Sequence, residues 1–576
     1  MKFRTSRAQM RIAISLALVQ FLLMACALPA FVTDSLNLNR VANIVATPAT
    51  FVNAPTPTPP PANLSTAALV RQRGKVRVGI RYDAPPLASI NGQGELVGFD
   101  VDLAKEMARR WLGKADAIEF YQVTSASAPK SVGNRELDMA LGGIVHSKSG
   151  ELLADFSQSY FEDGEAILIR KGAFNTVKEL AGDRISWIDS PTTFALRDTQ
   201  NANGITFTLK IADSYDAAYS ALKNGSTDGI AGRLRRLKAK AIADPSTQVL
   251  AVMQREPVAI VLPQNDSDWA DLVNITLNAI ISDGTYNTLY KKWMGVDGNP
   301  PRPPTDALKT DISALPVNIA PRDTLSKIKA NQKIVVGYTQ TDPLIYVSKQ
   351  NVVGGFEIDL IKEFAKRWLG KAEAVSFVPL TQGQILDAVR QGQVDIAIGN
   401  VQPSQANEFN LDLSIPVFQS GVTFMVLQAS RITTDVTRLN GQTVGLVGVG
   451  ADALAPLKTA RELSFNDVSF PDMTAALAAL RSKQIIAIAG DRLAIFAADR
   501  LTNDTNVVRD QLNDIPYVIG LPANDSALRD QINLTLQAMR DDGSYATIYK
   551  RTFEESPRAL PEFWPGEAVP VRDLRN

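Results

Sequence analysis

The side chains that most often carry catalytic or metal chemistry are scarce in this chain of 576 residues. It contains one cysteine, Cys26, and one histidine, His146. A single cysteine excludes an intrachain disulfide framework, and a single histidine argues against a histidine-based metal site. Lysine plus arginine and aspartate plus glutamate both number 60, so no basic excess points to nucleic acid. The composition therefore predicts no metal, no cofactor and no nucleic-acid partner.

Cys26 stands where a thiol could serve lipid attachment. Basic residues precede an apolar run over 12–25, which is too short for a comfortable membrane span. The run ends in Leu-Met-Ala-Cys, which resembles the lipobox of bacterial lipoprotein signal peptides, although Met24 replaces the usual small residue. We predict a signal peptide over 1–26 and lipidation at Cys26, hence an extracytoplasmic protein anchored to the cell membrane. An ordinary cleaved signal with an incidental cysteine is the alternative.

A stretch of twenty residues occurs twice in the sequence and indicates a duplicated domain. Residues 98–117 read GFDVDLAKEMARRWLGKADA and residues 355–374 read GFEIDLIKEFAKRWLGKAEA, with fourteen identical positions. The offset of 257 residues, from Gly98 to Gly355, suits a whole domain rather than a solenoid repeat. Apolar residues recur on one helical stripe, an acid follows the first glycine, and a glycine stands near the end. We expect a helix that packs the core and does not touch a ligand.

Proline-rich stretches divide the chain. The expected segments are a tether over 27–68, a first domain over 69–298, a linker over 299–324, a second domain over 325–555 and an irregular tail over 556–576. Each domain shows the same order of elements, starting with a β-branched strand over 75–80 or 333–338 that precedes the repeated helix. A later apolar strand is expected over 257–262 and 516–521. Alternating strands and helices predict an α/β fold with mostly parallel sheets.

At this point the motifs carry a family resemblance. VRVGIRYDAPPL, RELDMALGG and SDGTYNTLYKKWMG in the first unit, and IVVGYTQTDPL, GQVDIAIGN and DDGSYATIYKRTF in the second, resemble the polar amino-acid family of extracellular solute-binding proteins. The resemblance covers about 230 residues per unit. It implies tandem domains of the type II periplasmic-binding fold, each with two α/β lobes, a hinge and an interlobe cleft. The second lobes are expected at about 165–255 and 422–514, and the crossing segments at 157–164 with 255–259 and at 414–421 with 515–519.

The resemblance also shows what is missing. The family holds a ligand carboxylate with an arginine at the end of its first-lobe loop, where this chain has Gly150 and Asn407. In the first domain, Arg233 falls where the ammonium-binding acid belongs, so with Arg81 it would favour an anion without an amine. The alternative is a decayed site with solvated arginines. The candidate ligand residues of this domain are Arg81, Tyr82, Gly143, His146, Ser147, Thr192 and Arg233.

The second domain keeps an acid, Asp491, at the ammonium position. No basic residue occurs in 399–418, so an amine matches this cleft better than a zwitterion. An ordinary helix N-cap role for Asp491 is the alternative. The candidate ligand residues here are Thr339, Asn400, Gln402, Ser404 and Asp491.

These features predict a lipid-anchored, monomeric solute-binding protein that captures a small polar solute by lobe closure and delivers it to an ABC permease. A second hypothesis is a tandem sensing module that presents solute to a separate receptor. A third is an enzyme, because cyclohexadienyl dehydratases resemble this fold. No extra catalytic domain and no recognisable acid–base pair support the third hypothesis, so we expect a protein that is not an enzyme.

Overall fold

The structure is a computed structural model that describes residues 63–188, 190–298, 300, 312–403, 411–558 and 571–575. The predicted signal peptide with Cys26, nearly all of the predicted tether, Ser404 and Asn407 lie outside these residues. Within the described ranges, no helix combines the length and the apolar character needed to cross a bilayer.

The first domain alternates strands and helices along the chain. Its strands are β1 (Val76–Ile80), β2 (Asp83–Ala84), β3 (Ala88–Ile90), β4 (Leu96–Val97), β5 (Ile118–Gln122), β6 (Met139–Leu141), β7 (Asp155–Phe156), β8 (Phe161–Arg170), β9 (Arg184–Trp187), β10 (Thr208–Ile211), β11 (Gly229–Arg233), β12 (Thr247–Val258) and β13 (Val261–Leu262). Its helices are α1 (Thr66–Arg73), α2 (Phe99–Leu112), α3 (Ala128–Gly133), α4 (Lys148–Glu151), α5 (Ser190–Asn203), α6 (Tyr215–Lys223), α7 (Leu234–Ala243), α8 (Ser267–Ser282) and α9 (Thr285–Met294). Residues 90–96 form a small loop of their own, closed by the Asn91 amide donating to the Glu95 carbonyl at 2.9 Å.

The second domain repeats this order. Its strands are β14 (Ile334–Tyr338), β15 (Tyr346–Val347), β16 (Val353–Gly354), β17 (Val375–Pro379), β18 (Ile396–Ile398), β19 (Asp412–Leu413), β20 (Phe418–Ser420), β21 (Val422–Leu427), β22 (Thr443–Leu446), β23 (Asn466–Ser469), β24 (Ala487–Asp491), β25 (Thr505–Val507), β26 (Ile515–Tyr517) and β27 (Gly520–Leu521). Its helices are α10 (Thr324–Asn331), α11 (Phe356–Leu369), α12 (Gln382–Arg390), α13 (Ala451–Ala460), α14 (Met473–Arg481), α15 (Arg492–Asp499), α16 (Ser526–Asp541) and α17 (Ser544–Phe553).

The sheets confirm the α/β fold with two lobes in each domain. The first-lobe sheets have the orders β5-β1-β6-β13-β7 and β17-β14-β18-β27-β19, and the second-lobe sheets have β10-β9-β11-β8-β12 and β23-β22-β24-β21-β25. The expectation of mostly parallel sheets is confirmed for strand direction, because four of the five strands in each first-domain sheet run the same way and one strand, β13 or β8, runs antiparallel to its neighbours. The chain enters and leaves the second lobe through β8 and β12, and β13 returns it to the first-lobe sheet. This return reverses the local strand direction.

The expected apolar strand over 257–262 is divided in the structure. Its first two residues end the twelve-residue β12, and the chain resumes as β13 at Val261. The equivalent stretch of the second domain divides in the same way into β26 and β27. One half of each predicted strand therefore belongs to the hinge and the other half to the first lobe.

The repeated helix is the centre of each first lobe, as α2 and α11. Both begin after a glycine with positive φ, Gly98 at 145° and Gly355 at 126°, where a Cβ would lie within 2.3 Å of a backbone carbonyl oxygen. Their tryptophans repeat a further contact. The Trp111 Nε1 donates to Thr276 Oγ1 at 2.8 Å, and Trp368 Nε1 donates to Thr535 Oγ1 at 2.9 Å. Each tryptophan therefore joins this helix to the long helix α8 or α16.

The two domains meet through equivalent residues at the start of these long helices. The Asn265 amide donates to Ser526 Oγ at 2.8 Å, and the Asn524 amide donates to Ser267 Oγ at 2.8 Å. The return bonds run from the Ser267 amide to Asn524 Oδ1 at 2.9 Å and from the Ser526 amide to Asn265 Oδ1 at 3.0 Å. Because each bond has a counterpart with the domains exchanged, the contact has pseudo-two-fold symmetry.

Candidate functional site

The buried acid at the start of each repeated helix supports the loop that is expected to hold a ligand. Asp100 is fully buried, and its Oδ2 accepts hydrogen bonds from the amides of Gly142 and Gly143, both at 2.8 Å. Burial raises the pKa of Asp100 to about 6. In the second domain, Glu357 Oε2 accepts from the Gly399 amide at 2.8 Å, and burial raises the pKa of Glu357 to about 8. The repeated helix therefore positions the candidate site without lining it.

Arg81 and Gly143 lie together in the first lobe of the first domain. Arg81 follows β1, and its Nη1 donates to the Gly143 carbonyl at 3.3 Å while its Nε pairs with Asp83 at 2.9 Å. Gly143 has φ of 68°, which is a left-handed conformation that favours glycine. Tyr82 is next in the chain and half-buried, and burial raises the pKa of its hydroxyl to about 12.

Thr192 and Arg233 lie together in the second lobe of the first domain, on either side of a residue that sequence reasoning missed. Glu165 is fully buried on β8, and its Oε2 accepts a hydrogen bond from Thr192 Oγ1 at 2.6 Å. Its Oε1 lies 3.2 Å from Arg233 Nε, and the Arg233 Nη1 pairs with Glu256. Two carboxylates of the domain itself thus meet the positive charge of Arg233.

The charge of Glu165 depends on these neighbours. Burial raises the pKa of Glu165 to about 7, although the Thr192 hydrogen bond and the Arg233 charge oppose that rise. Nothing in the sequence pattern marks Glu165, because strand residues facing a helix look alike until the fold pairs them. Only the strand pairing in the structure, which places Glu165 directly opposite Arg233 in the ladder between β8 and β11, identifies this residue.

His146 and Ser147 are placed apart from these two groups. The His146 ring is buried, stacks on Phe156 at 4.4 Å between ring centroids, and pairs through Nε2 with Glu151. Ser147 is the N-cap of α4 and accepts a hydrogen bond from the Gly150 amide at 3.2 Å. Gly150 is packed closely, since a Cβ there would lie 2.8 Å from the Phe156 ring. A side chain at position 150 would therefore require the Phe156 ring to shift.

Asp491 is the carboxylate predicted to lie in the second cleft. Its Oδ2 accepts a hydrogen bond from Ser420 Oγ at 2.8 Å, and its Oδ1 accepts from the Leu493 amide at 2.9 Å as the N-cap of α15. No lysine or arginine within the described ranges forms an ion pair with Asp491. The capping role and an accessible carboxylate therefore coexist, because a carboxylate accepts up to four hydrogen bonds.

A tyrosine of the hinge is influenced by the charge of this carboxylate. Burial, with a further contribution from the Asp491 charge, raises the pKa of Tyr517 to about 12, and Gln402 forms a hydrogen bond with it. Sequence reasoning missed Tyr517 and Ser420 as individual residues. Both fall in the expected crossing segments, so their position in the hinge was the available signal.

The remaining candidates of the second domain are more peripheral. Thr339 follows β14, and its Oγ1 donates to the Leu380 carbonyl at 3.4 Å. Asn400 is exposed, has φ of 60° and contacts Gln382 at 3.5 Å. Ser404 lies outside the described residues. A surface cavity of about 530 Å³ lies elsewhere, at the Leu427 end of β21, whereas Asp491 pairs with the Val422 end.

Comparison with known proteins gives a consistent picture. The model of the bacterial extracellular solute-binding proteins, family 3, matches residues 76–296 and again residues 334–555. A glutamine-binding protein of an ABC transporter from Bacillus subtilis is 28% identical over 238 residues, which is 40% of this chain and 85% of the relative. An arginine-binding protein of an ABC transporter from Escherichia coli is 25% identical over 225 residues, which is 38% of this chain and 90% of the relative. A crystal structure of an ArgBP variant from T. maritima aligns to 40% of this chain and 100% of its own, with 26% identity and a TM-score of 0.31.

Proposed function

Because this chain belongs to the bacterial extracellular solute-binding proteins of family 3, we propose that it captures a small polar solute between the lobes of its second domain. Asp491 would accept the amine of that solute. The observation that carries the proposal is the Asp491 carboxylate, which accepts a hydrogen bond from Ser420 and has no cation of the described residues paired to it. A carboxylate in such a setting favours a cationic partner.

The equivalent position in the first domain differs in charge and in its partners, which supports different roles for the two domains. Arg233 is already met by Glu165 and Glu256, so an anionic solute would have to displace or share internal ion pairs. We propose that the first cleft provides no independent anion site, because Arg233 is occupied by internal ion pairs and not by solvent, which differs from the decayed site with solvated arginines. Arg81 retains a partly free guanidinium and is the group through which a weak anion response would arise.

The ligand class follows from the charges. The named relatives bind glutamine and arginine, both of which carry an α-ammonium group. In this chain no basic residue occurs in 399–418, so a carboxylate on the ligand lacks a guanidinium partner there. The proposed solute is therefore an amine, or an amine-bearing molecule without an α-carboxylate. Delivery to an ABC permease and anchoring through Cys26 complete the proposal, and presentation to a separate receptor is the alternative for the second step.

Titration calorimetry of the full chain tests this proposal. The panel contains primary amines, lysine, arginine, glutamine, dicarboxylates and phosphorylated solutes. We expect heat from amines that is lost in Asp491→Asn and retained in the matched variant Arg233→Ala. Tight binding of ordinary L-amino acids that survives Asp491→Asn would contradict the proposed ligand class. Binding of anions that is lost in Arg81→Ala would move the site to the first domain.

A further inference from the structure

The loop that follows Gly143 is built into the contact between the two domains. Lys148 Nζ donates to Asp541 Oδ2 of the second domain at 2.6 Å. From the other side, Arg529 Nη2 lies 2.5 Å from Asp155 Oδ1, and Ser526 Oγ donates to Asp155 Oδ2 at 2.8 Å. Lys148, which directly follows the predicted ligand residue Ser147, thus pairs with the helix α16, so this part of the loop serves the contact between the domains.

Three carboxylates from the two domains meet at the centre of this contact. Oxygen atoms of Glu151, Asp155 and Asp530 all lie within 4.8 Å of one another, and the three residues are 3%, 2% and 7% exposed. Glu151 and Asp155 belong to the first domain, and Asp530 belongs to α16 of the second. Like charges at this separation in a buried site repel strongly.

The cations around these carboxylates do not balance them. Arg529 serves Asp155 and lies 3.9 Å from a fourth buried acid, Asp412. Lys148 lies on the same short helix as Glu151, but its ammonium pairs with Asp541. Among the residues that the structure describes, one guanidinium, that of Arg529, therefore pairs with these four buried acids.

The neutral and titratable neighbours of these acids do not supply the missing positive charge. The Gln264 amide donates to Asp530 Oδ2 at 3.4 Å and to the Glu151 carbonyl at 3.2 Å. The imidazole of His146 lies against Glu151 Oε1. Glu151 Oε2 and Asp530 Oδ1 are buried with no hydrogen-bond donor among the described residues. A proton on one of the two facing carboxyls would satisfy both, and His146 is the second group able to hold it.

We propose that the buried Glu151–Asp530 pair is a pH-sensitive latch between the two domains: a shared proton holds the domains together, and its loss loosens their contact. The proposal is independent of which solute binds. The loosened state would release α16 from the first-domain loop.

The direction of the pH response follows from burial. Burial raises the pKa of Glu151 to about 8, with the Asp155 charge adding to the rise and Arg529 opposing it. Burial, with the charges of Glu151 and Asp155, also raises the pKa of Asp530 well above its usual range. When the contact opens, both carboxyls return to water and to lower pKa values, so opening releases protons. The latched state is therefore favoured at low pH and lost as the pH rises through the pKa of the latched pair.

A distance measurement between the domains tests the latch in the full chain. Nitroxide labels at Lys114→Cys and Lys371→Cys occupy exposed, equivalent positions after α2 and α11, and Cys26→Ser removes the one native thiol. By electron–electron resonance we expect one narrow distance at about pH 6 and a second, longer distance at about pH 9.5. Glu151→Gln with Asp530→Asn removes both ionisable groups, so this double variant should give one narrow distance at both pH values.

The matched control is Asp387→Asn, an exposed acid on α12, which should keep the wild-type pH response. If the double variant does not fold, Glu151→Gln alone should weaken the response. A wild-type distance that does not change with pH would overturn the proposal, as would an equal change in the double variant. Excess calcium or magnesium that restores the narrow distance at high pH would also overturn it, because a metal ion would then balance the acids.

Discussion

Arg233 and Asp491 occupy the same place in the two copies of the fold. Each is the last residue of a strand, β11 or β24, and each is the N-cap of the next helix, with φ of −56° and −58°. The residues that face them differ, because an acid faces Arg233 and an apolar residue faces Asp491. Glu165 stands opposite Arg233 in the ladder, whereas Val422 stands opposite Asp491. The first domain thus carries an internal ion pair where the second carries an accessible acid.

Replacing Arg233 by methionine should destabilise the first domain. Arg233→Met keeps most of the side-chain volume but leaves the buried Glu165 with only its Thr192 hydrogen bond. We expect the free energy of unfolding to fall by about 3 kcal/mol. Because the folded-state pKa of Glu165 is already raised, to about 7, the loss should grow as the pH rises through that value. Calorimetric unfolding at about pH 6 and pH 8 measures both effects.

Arg184→Met is the matched control, because Arg184 pairs with Asp228 on the surface, where solvent screening leaves such a pair little effect on stability. Equal losses for Arg233→Met and Arg184→Met would show that Glu165 does not depend on Arg233.

Glu357 should make the second domain less stable at high pH. Its folded-state pKa is about 8 because of burial, against about 4.5 in the unfolded chain, so the folded state binds the extra proton between these values. Stability from this group is complete below about pH 4.5 and falls as the pH rises to about 8. Glu357→Gln should therefore flatten the decline in melting temperature over that range. Asp359→Asn, an acid on the outer face of the same helix, should leave it unchanged, and an unflattened Glu357→Gln profile would contradict the assignment.

Trp368 should be among the most important core residues of the second domain. It is fully buried, stacks on Phe364 at 5.5 Å and donates to Thr535. Trp368→Ala should cost about 3–5 kcal/mol through the cavity it leaves. Trp368→Phe keeps much of the packing and removes the hydrogen bond, at a cost of about 1 kcal/mol. Denaturant unfolding compares the two, and similar losses would show that the hydrogen bond, rather than the buried volume, dominates.

Cys26 should determine membrane attachment. Cys26→Ser removes the thiol that would carry the lipid, so the protein should move from the membrane fraction to the soluble fraction and lose incorporation of labelled palmitate. Met24→Ala, which restores the small residue usual at that position, is expected to retain both. Membrane association of Cys26→Ser at the wild-type level would favour an ordinary signal peptide.

The periodic features of the chain predicted much of the fold. The repeated helix was expected near 98–117 and 355–374, and the structure places α2 and α11 there, because apolar spacing and flanking glycines act over short distances. The twelve-residue β12 was not predicted as one strand, since its pattern of half-buried residues shows no alternation.

The candidate site was less predictable than the fold. The alignment register correctly placed Arg233 and Asp491 at the ends of equivalent strands. It could not show that Glu165 would meet Arg233, or that His146 would be buried against Phe156 and Glu151, because these contacts join residues that only tertiary packing brings together. The ligand roles of all these residues stay predictions.

The reciprocal bonds among Asn265, Ser267, Asn524 and Ser526 have an evolutionary consequence. Such an isologous contact is what two identical single domains would form as a homodimer, where any substitution appears on both sides at once. In a fused chain, a substitution in one domain leaves the other domain unchanged. Arg529 of the second domain faces Asp155 of the first, while the matching position of the first domain is Ala270, so this ion pair occurs on one side only, whereas a symmetric dimer would contain it twice. The joined copies were thereby free to diverge, with one half able to specialise in holding the other.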